Sequence, residues 1–221
     1  MTPAPRPQPL PPRQARSVLT YQRILNAATA ILAERGWDAF TIDAVGQAAD
    51  VSVGNIYRRF GDKDGLFTAV HTAHLERMRA AGRQAFAPEA WPDLPPQDGV
   101  AETVRRLGRQ FQDHAPLDGV LILHSNKVSG LGEEGALFVS ERRSMVEQML
   151  FHYYGPDTTV RVMVCYRLAF ATFMDFGTFN VHPTQQPEMT WETLIEEVAH
   201  ACVRYLFASE APMNRAGSLT P

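Results

Sequence analysis

The sequence predicts an all-α protein in which a small N-terminal domain precedes a larger helical domain. Apolar residues recur at helical spacing along most of the chain, no segment alternates as a strand would, and proline-rich segments divide the chain. A length of 221 residues suits one small domain joined to a larger one. No apolar run approaches the roughly 18 residues of a membrane span, so we expect no membrane partner.

The overall charge gives no sign of a polyanionic partner, because the net charge at pH 7 is -3. Residues 1–62 carry a net charge of +2 and the remainder -5, so any contact with nucleic acid should be local and N-terminal. Cys165 and Cys202 lie in apolar segments outside any disulfide or metal motif, and the N-terminus lacks the apolar core of a secretory signal. We therefore expect a cytoplasmic protein.

Residues 1–16 are expected to form a disordered or polyproline-like arm, since six of the 16 prolines lie within the first 12 residues. Its simplest interpretation is an inert tail, although its arginines could touch phosphates. The first helix is predicted over residues 18–35 from an apolar stripe at i, i+4, i+7 and i+8, and Gly36 should end it. Residues 211–221 are expected to form a disordered tail.

Two short helices and a tight turn follow. Thr41 is a plausible N-cap for a second helix of only about two turns, which ends before Asp50, and Ser52 can cap a third helix over residues 53–60. Gly61 and Asp62 should end the third helix, after which residues 63–86 read as a longer one. The sequence thus predicts a small helical domain over residues 17–64, with two short helices joined by a tight turn, and a connecting helix over residues 65–86.

Prolines 88, 92, 95 and 96 break the helical pattern, and we place the domain boundary in or just before them. Residues 87–210 are predicted to form the larger domain. Its expected helices span residues 100–115, 119–130, 134–154, 158–180 and 191–208.

The third helix has the composition of a surface that reads a DNA groove. On a helical wheel, Ile56 and Phe60 define the buried side, so that Gly54, Asn55 and Arg58 point away from it. Asn can form two hydrogen bonds with the edge of an adenine, and Arg can form two with the edge of a guanine. Glycine allows the helix backbone to approach the duplex closely. The flanking Tyr57 and Arg59 suit phosphates. A small solvated helix in a bundle is the alternative interpretation of the same residues.

The most specific motifs in residues 23–67 are Ala33-Glu34-Arg35-Gly36, Thr41-Ile42, Val51-Ser52, Ile56-Tyr57-Arg58-Arg59-Phe60 and Lys63-Asp64-Gly65-Leu66. With these motifs, residues 23–67 resemble the N-terminal DNA-binding domain of the TetR family of bacterial transcriptional regulators, which implies that the second and third helices form a helix-turn-helix. The resemblance implies that Thr41 and Tyr57 bind phosphate and that Lys63 caps a phosphate at the start of the fourth helix. It also implies that base edges are faced by Val53, Gly54, Asn55 and Arg58.

Two positions depart from the usual family pattern. The turn residue is Asp50 where glycine is common, and Val53 stands where lysine is frequent. Both changes reduce positive charge near the duplex, so we expect modest affinity for random DNA and more apolar contact with thymine methyl groups.

The last two helices are expected to pair with those of a second copy. Residues 158–180 are apolar on almost every side and must be covered on two faces. In TetR-like proteins the last two helices form a four-helix bundle across a two-fold axis, so the resemblance implies a homodimer. Such a dimer would bind a roughly palindromic operator.

A pocket for a small organic effector is expected between helices of the larger domain, although each aromatic or methionine side chain there could equally be core. Arg167 and Asp175 leave an anionic and a cationic ligand both open, with a structural role at the dimer interface as the first choice. The candidate residues are Phe111, His114, His124, Phe138, Met145, Met149, Tyr166, Arg167, Phe170 and Asp175.

Metal binding and catalysis are not supported by the sequence. His71 and His74 stand at i and i+3 without an acidic or cysteine partner at ligand spacing, so they are interpreted as exposed histidines. We find no nucleophile elbow, P-loop or dinucleotide motif, and we predict no cofactor and no enzyme activity.

We therefore expect a dimeric TetR-like regulator, most simply a repressor, whose effector acts on DNA binding through the long fourth helix. The alternative is a helical ligand-binding or protein-interaction bundle whose helix-turn-helix no longer reads DNA, as Asp50 and Val53 suggest. An all-α enzyme is a third reading, which would require a perturbed acid–base pair in the pocket.

Overall fold

A computed structural model describes residues 12–125, 127–128, 130–155, 159–179 and 189–208. These residues form α-helices and one short 3₁₀ turn at Pro88–Ala90, and no strand occurs among them, which confirms the all-α prediction. The helices are α1 (Pro12–Ala39), α2 (Ile42–Ala49), α3 (Val53–Phe60), α4 (Lys63–Phe86), α5 (Pro96–Ser125), α6 (Leu131–Tyr154), α7 (Thr159–Phe179) and α8 (Trp191–Phe207). Within the described ranges, no helix is both long and apolar enough to cross a bilayer.

The helices α2, α3 and α4 have the bounds that the sequence predicts. Helix α1 starts earlier than expected, at Pro12, so residues 12–16 of the predicted arm are helical. Proline suits a first helical position because the amide it lacks would have no partner there. Gly36 interrupts α1 with a φ of 74°, as its predicted role as a stop requires. The rest of the arm, residues 1–11, and the predicted tail at 211–221 lie outside the described residues.

Helix α5 corrects one prediction. Residues 100–115 and 119–130 were expected to form two helices, but a single helix runs from Pro96 to Ser125 through Pro116. Pro116 lies on the exposed side, whereas Phe111, Ala115 and Leu117 are buried on either side of it. Burial of this apolar stripe offsets the amide hydrogen bond that proline removes.

The chain divides into two compact units. Unit 1 contains the chain up to Arg77 together with Pro116–Gly135, and unit 2 contains Met78–Ala115 together with the chain from Ala136 onward. This division lies within α4 and α5, whereas the sequence placed the boundary in the proline-rich segment. Sequence reasoning had no signal that residues 116–135 join the N-terminal helices.

The core of unit 1 is built from α1, α2, α3 and α4 with contributions from residues 116–135. Its fully buried side chains include Ile24, Leu32, Phe40, Ile56 and Phe67. Leu117, Leu121 and Leu131 belong to the same cluster. Burying one such side chain contributes roughly 1.5–3 kcal/mol, so this core fixes the orientation of α2 and α3.

The core of unit 2 joins α5, α6, α7 and α8. Phe111, Phe173 and Leu206 are buried in it, and Gly108 lets α5 lie so close to α8 that a Cβ would come 2.5 Å from Ile195 Cγ1. Arg105 donates to both carboxylate oxygens of Glu196, with Nε–Oε1 and Nη2–Oε2 distances of 2.8 and 2.7 Å. This ion pair also holds the pKa of Glu196 below its usual value.

The two cysteines are free and buried in unit 2, in agreement with the prediction that they form no disulfide framework. The hydrogen bond with Cys202 and burial raise the pKa of the Cys165 thiol. Both cysteines are buried among apolar side chains and therefore act as core residues.

Candidate nucleic-acid interface

The second helix begins with the predicted cap. The Thr41 hydroxyl accepts a hydrogen bond from the Ala44 amide at 3.1 Å, and Thr41 itself is extended and exposed. Asp43 stands in the first turn, where a carboxylate favours the positive end of the helix dipole. The Thr41 side chain thus stabilises α2 and remains accessible at its surface.

The turn between α2 and α3 depends on an unusual backbone conformation at Asp50. Its φ and ψ are 51° and 54°, a left-handed conformation that glycine adopts more readily. The turn closes when the Val51 amide donates to the Gly46 carbonyl at 2.9 Å. A Cβ on Gly46 would lie 2.9 Å from the Val51 carbonyl oxygen, so this position favours glycine.

Helix α3 is held by one fully buried side chain, Ile56. Ser52 occupies the N-cap position, but its side chain makes no capping hydrogen bond, so that detail of the prediction is wrong. Its carbonyl instead accepts from the Asn55 amide at 2.9 Å. Helix α3 is therefore fixed mainly by packing against the unit 1 core.

The outer face of α3 presents the predicted groups. Gly54 and Arg58 are exposed, Tyr57 is 50% exposed, and a Cβ on Gly54 would meet no atom within 4 Å. Val53 is half-buried and packs against the unit 1 core, so it offers a smaller apolar surface than the sequence suggested. The face thus combines open backbone at Gly54 with an exposed cation and a phenol.

Asn55 and Arg59 are half-buried and belong to a hydrogen-bonded network. Asn55 Oδ1 accepts from Arg58 Nη2 at 3.2 Å and from Arg59 Nε at 2.9 Å. Arg59 Nη1 also donates to Ser17 Oγ at 3.2 Å. Nearby, the rings of Tyr21 and Phe60 stack with centroids 5.3 Å apart, which joins the N-terminal part of α1 to α3.

Lys63 lies at the start of α4, as predicted, but its ammonium group rests on an aromatic surface. Lys63 Nζ is 4.1 Å from the Trp37 ring centroid and 5.6 Å from that of Phe40. One of the backbone amides at the start of α4 is already hydrogen-bonded, since the Gly65 amide donates to Asp62 Oδ1 at 2.7 Å. Asp62 thus caps α4 in addition to ending α3.

His124 lies in unit 1 and not among the predicted pocket residues of unit 2. Its ring stacks on Trp37 with centroids 4.1 Å apart and an interplanar angle of 9°. Burial lowers the pKa of His124, and the positive charges of Lys127 and Lys63 lower it further. The imidazole is therefore favoured in its neutral form.

The remaining pocket candidates divide into buried and exposed groups. Phe111, Phe138, Met149 and Tyr166 are buried, while His114, Met145 and Phe170 are half-buried. Arg167 and Asp175 are exposed, so within this chain they do not line an enclosed cavity. The first choice for these two charges, a structural role at a dimer interface, stays a prediction.

The buried charge in unit 2 belongs instead to Arg142 of α6, which sequence reasoning missed. Arg142 is 3% exposed, and its guanidinium carbon lies 4.6, 5.0 and 5.2 Å from the ring centroids of Phe111, Phe138 and Phe170. Burial raises the pKa of Tyr166, and the charge of Arg142 opposes this rise. Phe138 and Val146, four residues to either side, were the signal that Arg142 lies on the buried face.

The two histidines of α4 are buried, which corrects their interpretation as exposed residues. His74 Nε2 lies 2.5 Å from Asp118 Oδ1, and His71 Nδ1 lies 3.9 Å from Glu134 Oε2. Both acidic partners come from residues 116–135, far away in sequence. Among the residues placed by the structure, no three His, Cys, Asp or Glu side chains are grouped as metal ligands would be.

Comparison with known proteins supports the interpretation of the N-terminal part. Residues 24–70 match the family model for bacterial regulatory proteins of the tetR family. The chain is 37% identical over 65 residues to the uncharacterised HTH-type transcriptional regulator YhgD of Bacillus subtilis, covering 29% of this chain and 34% of that protein. It is 36% identical over 62 residues to the HTH-type transcriptional repressor KstR of Rhodococcus jostii, covering 28% and 29%. The chain thus spans about a third of the length of these curated relatives.

Solved structures share the fold over most of the chain. A Mesorhizobium loti protein described as a TetR-family transcriptional regulator superposes with a TM-score of 0.70 at 17% identity, covering 87% of this chain and 97% of that one. PfmR of Thermus thermophilus superposes with a TM-score of 0.63 at 18% identity, covering 82% and 97%. The chain therefore carries an N-terminal segment, residues 24–70, that matches the tetR family model, and it shares its fold with these solved structures.

Proposed function

We propose that the protein is a transcriptional regulator, most simply a repressor, that binds double-stranded DNA with α2 and α3 as a helix-turn-helix. The observation that carries this proposal is the outer face of α3, where Arg58, Tyr57 and Gly54 are exposed while Ile56 is buried on the opposite side. The regulator and repressor names of the relatives that match the N-terminal part agree with it.

The proposed contacts fall into two groups. Arg58 suits the two acceptors of a guanine edge, and open space at Gly54 suits close approach of the helix to the groove. The base-facing group is Val53, Gly54, Asn55 and Arg58. The phosphate group is Thr41, Tyr57, Arg59 and Lys63, in which Lys63 would have to leave the Trp37 ring to reach a phosphate.

We further propose that two copies pair through α7 and α8. Val160 and Leu168 of α7 are 72% and 53% exposed in the single chain. Large apolar side chains exposed on one helix are typical of a surface that a partner covers. Pairing would cover them and would present two α3 helices to successive grooves. A two-fold dimer then requires a roughly palindromic operator with half-sites about 34–36 Å apart.

A small organic effector is proposed to bind in unit 2 near Arg142 and to shift DNA binding through α4. The three rings around the guanidinium suit an apolar body, and the guanidinium suits a carboxylate or another anion. Coupling of about 1–3 kcal/mol would be typical of such a response.

The DNA proposal is tested by binding of the full chain to the region upstream of its own gene, measured by fluorescence anisotropy at several salt concentrations. Arg58→Ala should cost about 1–3 kcal/mol and relax specificity at one base position. Arg35→Ala removes the same charge from the exposed surface of α1 and serves as the control, which should keep the base preference. Equal binding of specific and scrambled duplexes by the wild type would favour the alternative, a helical bundle that no longer reads DNA.

A further inference from the structure

Asn55 is the centre of a side-chain network that spans the outer face of α3. Guanidinium groups only donate hydrogen bonds, so the atom of Asn55 that contacts Arg58 Nη2 and Arg59 Nε is its amide oxygen. An amide oxygen has two lone pairs, and these two donors use both. The amide group of Asn55 is thereby held in one orientation, with its oxygen turned toward the helix's own arginines.

This orientation conflicts with the usual role of asparagine in reading DNA. A bidentate contact with adenine requires the amide oxygen to accept from the N6 amino group while the amide nitrogen donates to N7. In Asn55 the oxygen is already occupied, so reading adenine would break both arginine contacts. Asn55 is also half-buried, whereas Arg58 beside it is exposed.

The far end of the network is anchored on another helix. Arg59 Nη1 donates to Ser17 Oγ of α1 at 3.2 Å, and stacking of Tyr21 on Phe60 holds the same two helices together. Contacts thus run from α1 through Arg59 and Asn55 to Arg58. One of the five N–H donors of Arg58 is used in this way, which leaves an outward guanidinium edge for a ligand.

We propose that Asn55 is a positioning residue that fixes the guanidinium of Arg58 for a base edge with two acceptors, such as the O6 and N7 atoms of guanine. Holding a long side chain in its bound rotamer reduces the entropy lost on binding and favours one base over the others. The same network makes Arg59 chiefly a support for Asn55, with phosphate contact as a secondary role. This inference rests on the proposed binding of DNA by α3.

The test compares the full-chain wild type with Asn55→Ala, Arg58→Ala and the double variant. An operator is first selected from random duplexes with the wild type, and every base pair is then replaced in turn while affinity is measured. Asn55→Ala should weaken the preference for guanine about 3- to 10-fold at the one position that Arg58→Ala affects. The double variant should have the same base preferences as Arg58→Ala alone.

Asn55→Asp supplies the rescue. Its carboxylate keeps two oxygen acceptors for the arginines but has no amide donor, so the guanine preference should return while overall affinity falls because of repulsion by phosphates. Loss of an adenine preference at a separate base pair in Asn55→Ala, with the guanine preference intact, would overturn the inference and leave the proposed function standing. Absence of any base preference in the wild type would overturn both.

A readout without DNA guards against misfolded variants. In the free wild-type protein, NMR should show slowed rotation of the Arg58 and Arg59 guanidinium groups, and Asn55→Ala should restore fast rotation at an unchanged melting temperature. Fast rotation of Arg58 in the wild type would contradict the positioning role.

Discussion

Gly65 lies where the first turn of α4 passes the last carbonyl groups of α3. A Cβ at this position would overlap the Phe60 carbonyl oxygen, and the Gly65 amide is the donor to Asp62 Oδ1 at 2.7 Å. The motif Lys63-Asp64-Gly65-Leu66 was one of the specific parts of the family resemblance, but the sequence did not explain why glycine occupies its third position. The structure supplies the reason: only glycine lets the third and fourth helices meet at this distance.

Gly65→Ala should therefore destabilise unit 1 by about 1–3 kcal/mol, the usual cost of forcing extra atoms into a packed site. Gly54→Ala is the matched control, because a Cβ in this first turn of α3 meets nothing within 4 Å and should not destabilise the protein. Thermal unfolding followed by circular dichroism measures both. A Gly65→Ala protein that melts at or above the wild-type temperature would contradict this reading of the junction.

His124 makes the stability of the protein depend on pH. Burial lowers its pKa in the folded state, so the folded protein favours the neutral ring, and this contribution is fully present above the usual pKa of about 6.5. It declines as the pH falls through that value, because the unfolded chain then takes up the proton more readily.

The melting temperature of the wild type should accordingly fall more between pH 7.5 and 5.5 than that of His124→Phe, which keeps a ring against Trp37. All other titrating groups are common to the two proteins, so the difference reports His124. Equal falls would show that its titration does not contribute to folding.

A substitution of Arg142 can distinguish an effector site from an ordinary hydrophobic core in unit 2. If an organic anion binds there, octanoate should raise the melting temperature of the wild type more than octanol does, and Arg142→Met should abolish that difference. Methionine keeps much of the side-chain length and its contact with the rings. Equal shifts from the acid and the alcohol in the wild type would argue against an anion site at Arg142.

At the scale of elements, helices with clear local signals at their ends were predictable, whereas a helix that continues through a proline was not. The bounds of α2, α3 and α4 followed from Thr41, Gly61 and the apolar spacing, which are local signals. Helix α5 was divided wrongly at Pro116 because the missing amide is visible in the sequence, while the burial that offsets it depends on other helices. The acidic partners of the buried His71 and His74, which are Glu134 and Asp118, were missed for the same reason.

The two predicted caps differ in the structure and should differ in their effect. Thr41→Ala removes a real capping hydrogen bond to Ala44 and should cost about 1 kcal/mol. Ser52→Ala removes a hydroxyl that caps nothing and should change stability far less. Urea unfolding of the two variants compares them directly. Similar losses for both would mean that the Thr41 contact does not stabilise α2.

At the scale of the whole molecule, the sequence predicted two domains but not which segments form them. Leu117, Leu121 and Leu131 belong to the unit 1 core, although they lie about 50 residues or more beyond Phe67 and Val70 in the chain. The apolar spacing of a segment predicts that one of its faces is buried, but it does not show which distant segment covers that face. The exposed outer face of α3 was predictable, since α3 and its turn are built from neighbouring residues.

Pairing of two copies through α7 predicts a sharp difference between two exposed leucines. Leu168→Glu should dissociate the dimer, because a carboxylate would be buried in the proposed interface. Leu137→Glu changes a leucine of α6 with similar exposure, 57% against 53%, and should leave the dimer intact. Sedimentation velocity distinguishes the two. A wild type that sediments as a monomer at micromolar concentration would contradict the pairing itself.

The left-handed Asp50 has a consequence for how such a regulator would locate its operator on a chromosome. A carboxylate in the turn repels every phosphate alike, so it weakens residence at the millions of incorrect sites that compete with the correct one. In Asp50→Gly the turn would adopt its left-handed backbone conformation more easily, and the protein would bind random DNA more tightly. It would then take longer to find its operator.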